Sequence, residues 1–229
     1  MKKVLFGIFA HPDDESFGPA GTIIKENREN DTDVHIITLT PGDAGTNPDA
    51  HEDLGALRLA EWREAGRLLG IASQHNLGYK DGYLSNHLYF QVAEKITEII
   101  DNTLTSYSEP IEIDFMTFDL NGLSGHIDHI FASRVTCYLF YSRKPTDRRF
   151  KYIRFVCVPK QYAPSHNTHW LFMDAGRDDS ECTHVVDARE YRNEITAAMR
   201  AHHSQRSDCE QHLARRGDDL GTDYFIVRS

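Results

Sequence analysis

The apolar positions alternate between two spacings along most of the chain. Val4–Ala10 is a continuous apolar run of strand length, and Val34–Leu39 is a second one rich in β-branched residues. Between them, Ala20, Ile23 and Ile24 have helical spacing that continues to about Asn30. Thr40–Asp53 carries Pro41, Gly42, Gly45 and Pro48 and reads as a long loop. Helical patterns follow over about Leu54–Leu69, stopped by Gly70, and over about Leu88–Leu104. Ile111–Phe118 is a third strand, His126–Tyr141 is helical, and Phe150–Val158 is a strand closed by Pro159. Beyond it, Lys160–Asp179 is polar and turn-rich. A short strand near Thr183–Val186, a helix over about Ala188–His203 and a final strand at Tyr224–Val227 complete the pattern.

Strands that alternate with helices predict an α/β fold with a mostly parallel sheet and helices on both faces. No internal repeat or low-complexity linker interrupts residues 1–229, so one domain is expected. In such sheets ligands sit beyond the carboxyl ends of the strands. Two loops meet that condition: His11-Pro-Asp-Asp-Glu15 after the first strand, and Asp119–His129 after Ile111–Phe118.

Composition narrows the classes. The chain has 229 residues, 40% of them hydrophobic and 26% charged, an ordinary globular balance. Its net charge of −10 argues against a nucleic-acid backbone as the main partner, because neutralising phosphates needs a basic surface. Cys137, Cys157, Cys182 and Cys209 form no C-x-x-C pair, so isolated thiols in a reducing compartment are expected. The apolar N-terminal run stops at Ala10, too short for a secretory leader, and no stretch reaches the roughly 20 apolar residues of a membrane span. The expectation is a cytoplasmic protein, with a homo-oligomer left open. The 13 histidines are the unusual component, since imidazole both binds metals and exchanges protons near neutral pH.

Spacing singles out a few of them. His11 and Asp14 stand H-x-x-D at a strand end, with Asp13 and Glu15 alongside. Three carboxylates so close repel one another unless a cation lies among them. In the second loop, a helix beginning near Ser124–Gly125 would put His126 and His129 three apart on one face, continuing inward through Ala132 and Thr136. A catalytic zinc site needs three ligands from His, Asp or Glu and an open position for water. His11, Asp14 and one of the two second-loop histidines supply that set, leaving Asp13 and the other histidine for proton transfer.

Ala10-His-Pro-Asp-Asp-Glu15 paired with Gly125-His-Ile-Asp-His129 resembles the PIG-L/LmbE superfamily of zinc-dependent N-acetylglucosaminyl deacetylases. Thr40-Pro-Gly-Asp43, Arg58-x-x-Glu61, Tyr79-Lys-Asp81-Gly82 and Ala201-His-His-Ser-Gln205 extend the similarity over nearly the whole chain. The resemblance implies a Rossmann-like fold and one Zn2+ per chain held by His11, Asp14 and His129. It implies Asp13 as general base, His126 as the group that stabilises the oxyanion and protonates the leaving amine, and Asp128 as a support for the histidine pair. It further implies substrate contacts at Arg58, Asp81 and Asp43, and a small amino-sugar substrate. Some members carry Tyr two residues before the first histidine of the second motif, where this chain has Ser124.

On the predicted Leu54–Leu69 helix, Arg58 and Glu61 share the inward stripe with Leu54, Ala65 and Leu68, which makes them a buried pair or site contacts. Asp81 and Asp43 sit in Gly-containing turns, where a turn-forming role serves equally well. His202 and Gln205 near a helix end carry no assignment, and neither do His166, His169 and Trp170. The leading expectation is hydrolysis of an N-acetyl group. The rivals are a zinc amidohydrolase of another amide and a non-catalytic metal- or nucleotide-binding protein. The latter lacks a G-x-G-x-x-G or P-loop lysine.

Overall fold

In the computed structural model, described for residues 1–163 and 176–229, the strands assemble into one seven-stranded sheet. Its strands are β1 (Lys2–Phe9), β2 (Thr32–Thr38), β3 (Ser73–Asn76), β4 (Ile111–Phe118), β5 (Phe150–Cys157), β6 (His184–Asp187) and β7 (Thr222–Arg228). They lie in the order β3-β2-β1-β4-β5-β7-β6. The first five run parallel, while β7 is antiparallel to both β5 and β6. The α/β expectation holds, with an antiparallel margin added at one edge. The unassigned His166, His169 and Trp170 lie outside the described residues.

Central strands are buried on both faces, which is why β1 reads as unbroken apolar sequence. The helices are α1 (Asp14–Phe17), α2 (Ala20–Glu29), α3 (Leu54–Leu69), α4 (Tyr89–Leu104), α5 (Gly122–Gly125), α6 (Ile127–Arg143), α7 (Arg192–Ala201) and α8 (Arg206–Arg216). α6 packs on β1, β4 and β5 with α4 beside it, and α2 packs on β2, β6 and β7 with α3 and α7. Strand alternation divides the layers. Phe115 stacks toward Phe140 of α6, while its neighbour Asp114 points the other way to Arg154, which also binds Glu26 of α2. Gly70 closes α3 in the left-handed conformation, as its position predicts. Among the described residues no helix is long and apolar enough to cross a membrane.

Two elements depart from the sequence expectation. β3 is Ser-Gln-His-Asn, with no apolar alternation, and is recruited by pairing with β2. α8 is almost entirely polar, with Cys209 its one buried residue. The chain order reverses between β1 and β4, where β2 leaves to one side and β5 to the other. The crevice at that reversal is the expected ligand position in a doubly wound sheet.

The buried carboxylates Glu26 and Asp114 form an ion triad with half-buried Arg154, whose Nη2 lies 2.8 Å from Asp114 Oδ2. Arg154→Ala should destabilise the fold by about 3–5 kcal/mol, because it strands two buried carboxylates. Adding Glu26→Gln and Asp114→Asn should recover much of that loss, as read by urea unfolding.

Candidate active site

The two motif loops meet at the β1/β4 reversal. His11 follows β1, and Asp14 folds back so that its Oδ2 accepts from the backbone N–H of Ala10 (3.1 Å) and of His11 (2.7 Å). His129 arrives from the first turns of α6, with its ring stacked on Phe118 at 4.0 Å. His11 Nδ1 lies 3.2 Å from His129 Nε2. His129 Nε2 lies 3.4 Å from Asp14 Oδ1, and His11 Nδ1 lies 3.6 Å from Asp14 Oδ2. Ligand atoms about 2.0–2.1 Å from a tetrahedral zinc stand about 3.3–3.4 Å apart, close to these distances, with the two histidines meeting different oxygens of Asp14.

The remaining ring nitrogens are arranged as metal-bound histidines need. His129 Nδ1 lies 3.1 Å from Gly122 O, which puts its proton on that nitrogen and turns the Nε2 lone pair inward. His11 Nε2 lies 2.9 Å from Asp81 Oδ1 and 3.5 Å from Asp128 Oδ2. Burial opposes a charge on His11, yet the carboxylates of Asp128, Asp81 and Asp14 raise it to about 10. His126 also approaches, and nitrogens of His11, His126 and His129 fall within 4.8 Å of one another. Its Nδ1, however, is engaged by Asp128 N–H at 3.2 Å. The side chains close enough to hold a metal are therefore His11 and His129 with either Asp14 or His126, and His11 with Asp81 and Asp128.

His126 differs from its sequence expectation. It is not inside a helix with His129 but is the N-cap of α6, in an extended conformation. Gly122, Leu123 and Gly125 have positive φ and break the chain between α5 and α6. That break permits what a regular helix forbids: Asp128, two residues on, joins the same cluster. His126 stacks on His129 at 4.7 Å, and burial, with His129 and His11 nearby, lowers it to about 4.

Asp13 holds φ at 122°, a region an L-residue enters at a cost and keeps only when its neighbours impose it. Arg58 imposes it: Nη2 donates to Pro12 O and to Asp13 Oδ2, both at 2.8 Å, and Nη1 donates to Gly42 O at 2.8 Å. Gly42 and Gly45 lack side chains where the guanidinium passes, and a Cβ at either would collide with it. Arg58 is thus buried against the loop that carries Asp13. Burial raises Asp13 to about 6 against the opposing charge of Arg58. Asp81 is buried and faces His11, with Oδ2 accepting from Ala44 N. Asp43 is exposed and accepts from Asp81 N through Oδ1, so it braces that turn.

Sequence comparison decides the family. The pattern described as PIG-L, GlcNAc-PI de-N-acetylase, matches residues 6–139, more than half of the chain. The chain belongs to the PIG-L family. It is similar to a 1D-myo-inositol 2-acetamido-2-deoxy-alpha-D-glucopyranoside deacetylase of Saccharomonospora viridis, with 30% identity over 86% of this chain and 83% of that protein. It is also similar to a Bacillus subtilis protein named probable N-acetyl-alpha-D-glucosaminyl L-malate deacetylase 2, with 27% identity over 90% of this chain and 84% of the relative. In fold it resembles N,N'-diacetylchitobiose deacetylase from Pyrococcus horikoshii, with TM-score 0.66 and 20% identity over 99% of this chain and 82% of that one. Like these named deacetylases, this PIG-L chain is an enzyme of the hydrolase class.

Behind the PIG-L motif lies a layer that sequence reasoning missed. Glu15 is fully buried, and its Oε1 accepts from Ser16 Oγ at 2.8 Å while Oε2 accepts from Trp62 Nε1 at 3.2 Å. His202 Nε2 lies 3.0 Å from Ser16 Oγ. The next residues continue the clamp: Ser204 donates to Glu61, and Gln205 donates to Thr46 O. The Ala201–Gln205 segment therefore fastens α3 and the first motif together. His202, which carried no assignment from the sequence, and His35 of β2 are both buried and hydrogen-bonded. The cysteines are all free, but Cys157 and Cys182 are not isolated: their Sγ atoms lie 3.7 Å apart.

Glu15→Gln preserves the shape and polar partners of the clamp and should change stability by less than about 1 kcal/mol. Glu15→Ala strands the Trp62 N–H and Ser16 hydroxyl and should cost about 2–4 kcal/mol in urea unfolding of the metal-free protein.

Proposed function

We propose that this chain, acting as one unit over residues 1–229, is a zinc-dependent N-deacetylase that frees acetate and an amine from an N-acetylglucosamine-containing small molecule. The observation that carries the reading is the 3.2–3.6 Å spacing of His11 Nδ1, His129 Nε2 and the Asp14 carboxylate. We assign these three as ligands of one zinc. When bound there, zinc would polarise the amide carbonyl and lower the pKa of a water. The glucosamine part rests on the relatives named for such substrates, whose inositol and malate aglycones differ from each other.

The protein groups have separate tasks. Asp13, with Oδ2 held by Arg58, keeps its other oxygen to take a proton from the attacking water. Arg58 acts as a positioning residue, because the strained Asp13 backbone and its carboxylate both rest on it. His126 accepts the Asp128 N–H at Nδ1, which places its own proton on Nε2 as a donor to the oxygen that gains charge. His126 passes its Nε2 proton to the departing nitrogen and recovers one from the protonated Asp13, so both groups return to their starting states. Asp128 and Asp81 orient His11 from behind, as carboxylates commonly do for metal-bound imidazole. Asp81 and Asp43 brace one turn, and any hydroxyl contact they offer is made from that braced position.

Calorimetric titration of metal-free protein should find about one zinc per chain, the stoichiometry of a three-ligand catalytic site, and Asp14→Ala should abolish that binding. Asp13→Asn should retain zinc yet lose about 10²–10⁴-fold in acetate release from N-acetylglucosamine conjugates. Full activity in that variant would remove Asp13 as the base. Zinc-loaded protein inert toward a broad panel of N-acetyl sugars would remove the function itself.

A further inference from the structure

A cavity of about 210 Å3 opens on two of the proposed metal ligands, Asp14 and His129. Its wall includes Asp14 and His129, then Phe17, Phe118, Leu123 and Val156, with Val158 further along. None of Asp13, Arg58, Asp81 or His126 lines it. We propose that this cavity is an acyl pocket, and that the enzyme hydrolyses N-acyl groups longer than acetyl, of about four to six carbons.

The inference rests on the proposed hydrolytic site, because the reacting carbonyl must lie against the metal ligands. From that carbonyl two substituents diverge. The amine side must reach His126, which supplies its proton and does not line this cavity. The acyl carbon is then directed toward Phe118 and Leu123. An acetyl methyl needs only a small part of the space there: an apolar cavity of about 150 Å3 accommodates benzene.

Several polar side chains of the wall are engaged elsewhere, and the greater part of the wall is apolar. Asp223 Oδ2 accepts from Thr22 N and Oγ1, and burial raises this carboxyl to about 6. Arg216 is held by Thr222 O and Asp219 and lies over the rings of Tyr162 and Tyr224. His212 stacks against Phe17, and burial, reinforced by Arg216 and Arg215, lowers it to about 4, so its ring is neutral. Arg215 is exposed on α8. Transfer of each methylene from water to such a wall is worth about a fourfold gain in binding.

The test is amine release by the zinc-loaded enzyme from glucosamine carrying acetyl, butanoyl, hexanoyl or dodecanoyl amides, with calorimetric titration of acetate and hexanoate in parallel. Butanoyl and hexanoyl substrates should match or exceed acetyl in kcat/KM, hexanoate should bind at least about tenfold tighter than acetate, and dodecanoyl should be rejected as too long. Val158→Phe, at a half-buried position outside the catalytic groups, should lower the hexanoyl-to-acetyl kcat/KM ratio at least about tenfold, the scale of filling an apolar pocket. Hydrolysis of acetyl alone, with hexanoate bound no better than acetate, would overturn the acyl pocket and leave the deacetylase reading intact. No hydrolysis of any amide would overturn both.

Discussion

Asp13, Asp14 and Glu15 are three consecutive carboxyl groups at the end of a buried strand, and each needs a different solution to its loss of water. Asp13 is the N-cap of α1 with a non-helical backbone, while Asp14 and Glu15 open that helix, so the three leave the backbone in different directions. Asp13 turns to Arg58, Asp14 to two backbone N–H groups and His129, and Glu15 to Trp62 and Ser16 behind the motif. The partners come from distant parts of the chain: α3 and the Gly42–Gly45 loop for Asp13, the first turn of α6 for Asp14, and α3 with the segment after α7 for the Glu15–Ser16 pair. Without those partners the three groups could not remain together in so little water. The fold around the β1/β4 crevice is, to a large extent, the set of answers to that problem.

The strain at Asp13 belongs to the same constraint. A φ of 122° is tolerated because Arg58 bonds both the preceding carbonyl and the Asp13 carboxylate. The guanidinium can occupy that place only because residues 42 and 45 have no side chains. Pro41-Gly-Asp-Ala-Gly45 is therefore shaped less for a ligand than for an arginine. Substrate binding by Arg58, which the family resemblance implies, would have to use a side chain already committed through both terminal nitrogens.

Much of this was legible from residue spacing, and the omissions share a cause. The apolar runs of β1, β2, β4 and β5 announce a parallel sheet because burial on both faces leaves no other composition. The paired motifs announce a metal site because so many ionisable groups at strand ends have few other uses. Local spacing could not reveal the partners of Glu15, which come from positions 62 and 202, far along the chain. Nor could it place Asp128 in the cluster while a regular helix was assumed through His126. The signal was present in Gly122 and Gly125, two glycines within four residues, and the structure uses both at positive φ to break the helix there. β3 and α8 escaped detection for a simpler reason, since neither has an apolar stripe of its own.

The sheet order also separates two kinds of residue. The groups that would hold metal and move protons come from the connections after β1 and β4, on either side of the reversal. The far wall of the neighbouring cavity comes from β5, β7 and α8, on the antiparallel side. Those later elements reach the site without supplying a ligand, so their side chains can change volume without altering the 3.2–3.6 Å spacing of the three ligand groups. A parallel core with fixed chemistry and an antiparallel margin with adjustable walls is one physical route by which related chains can keep a reaction and change its substrate. In this chain the margin leaves a largely apolar recess beside a strongly charged centre. Such a recess is costly to leave to water and favourable to fill with hydrocarbon.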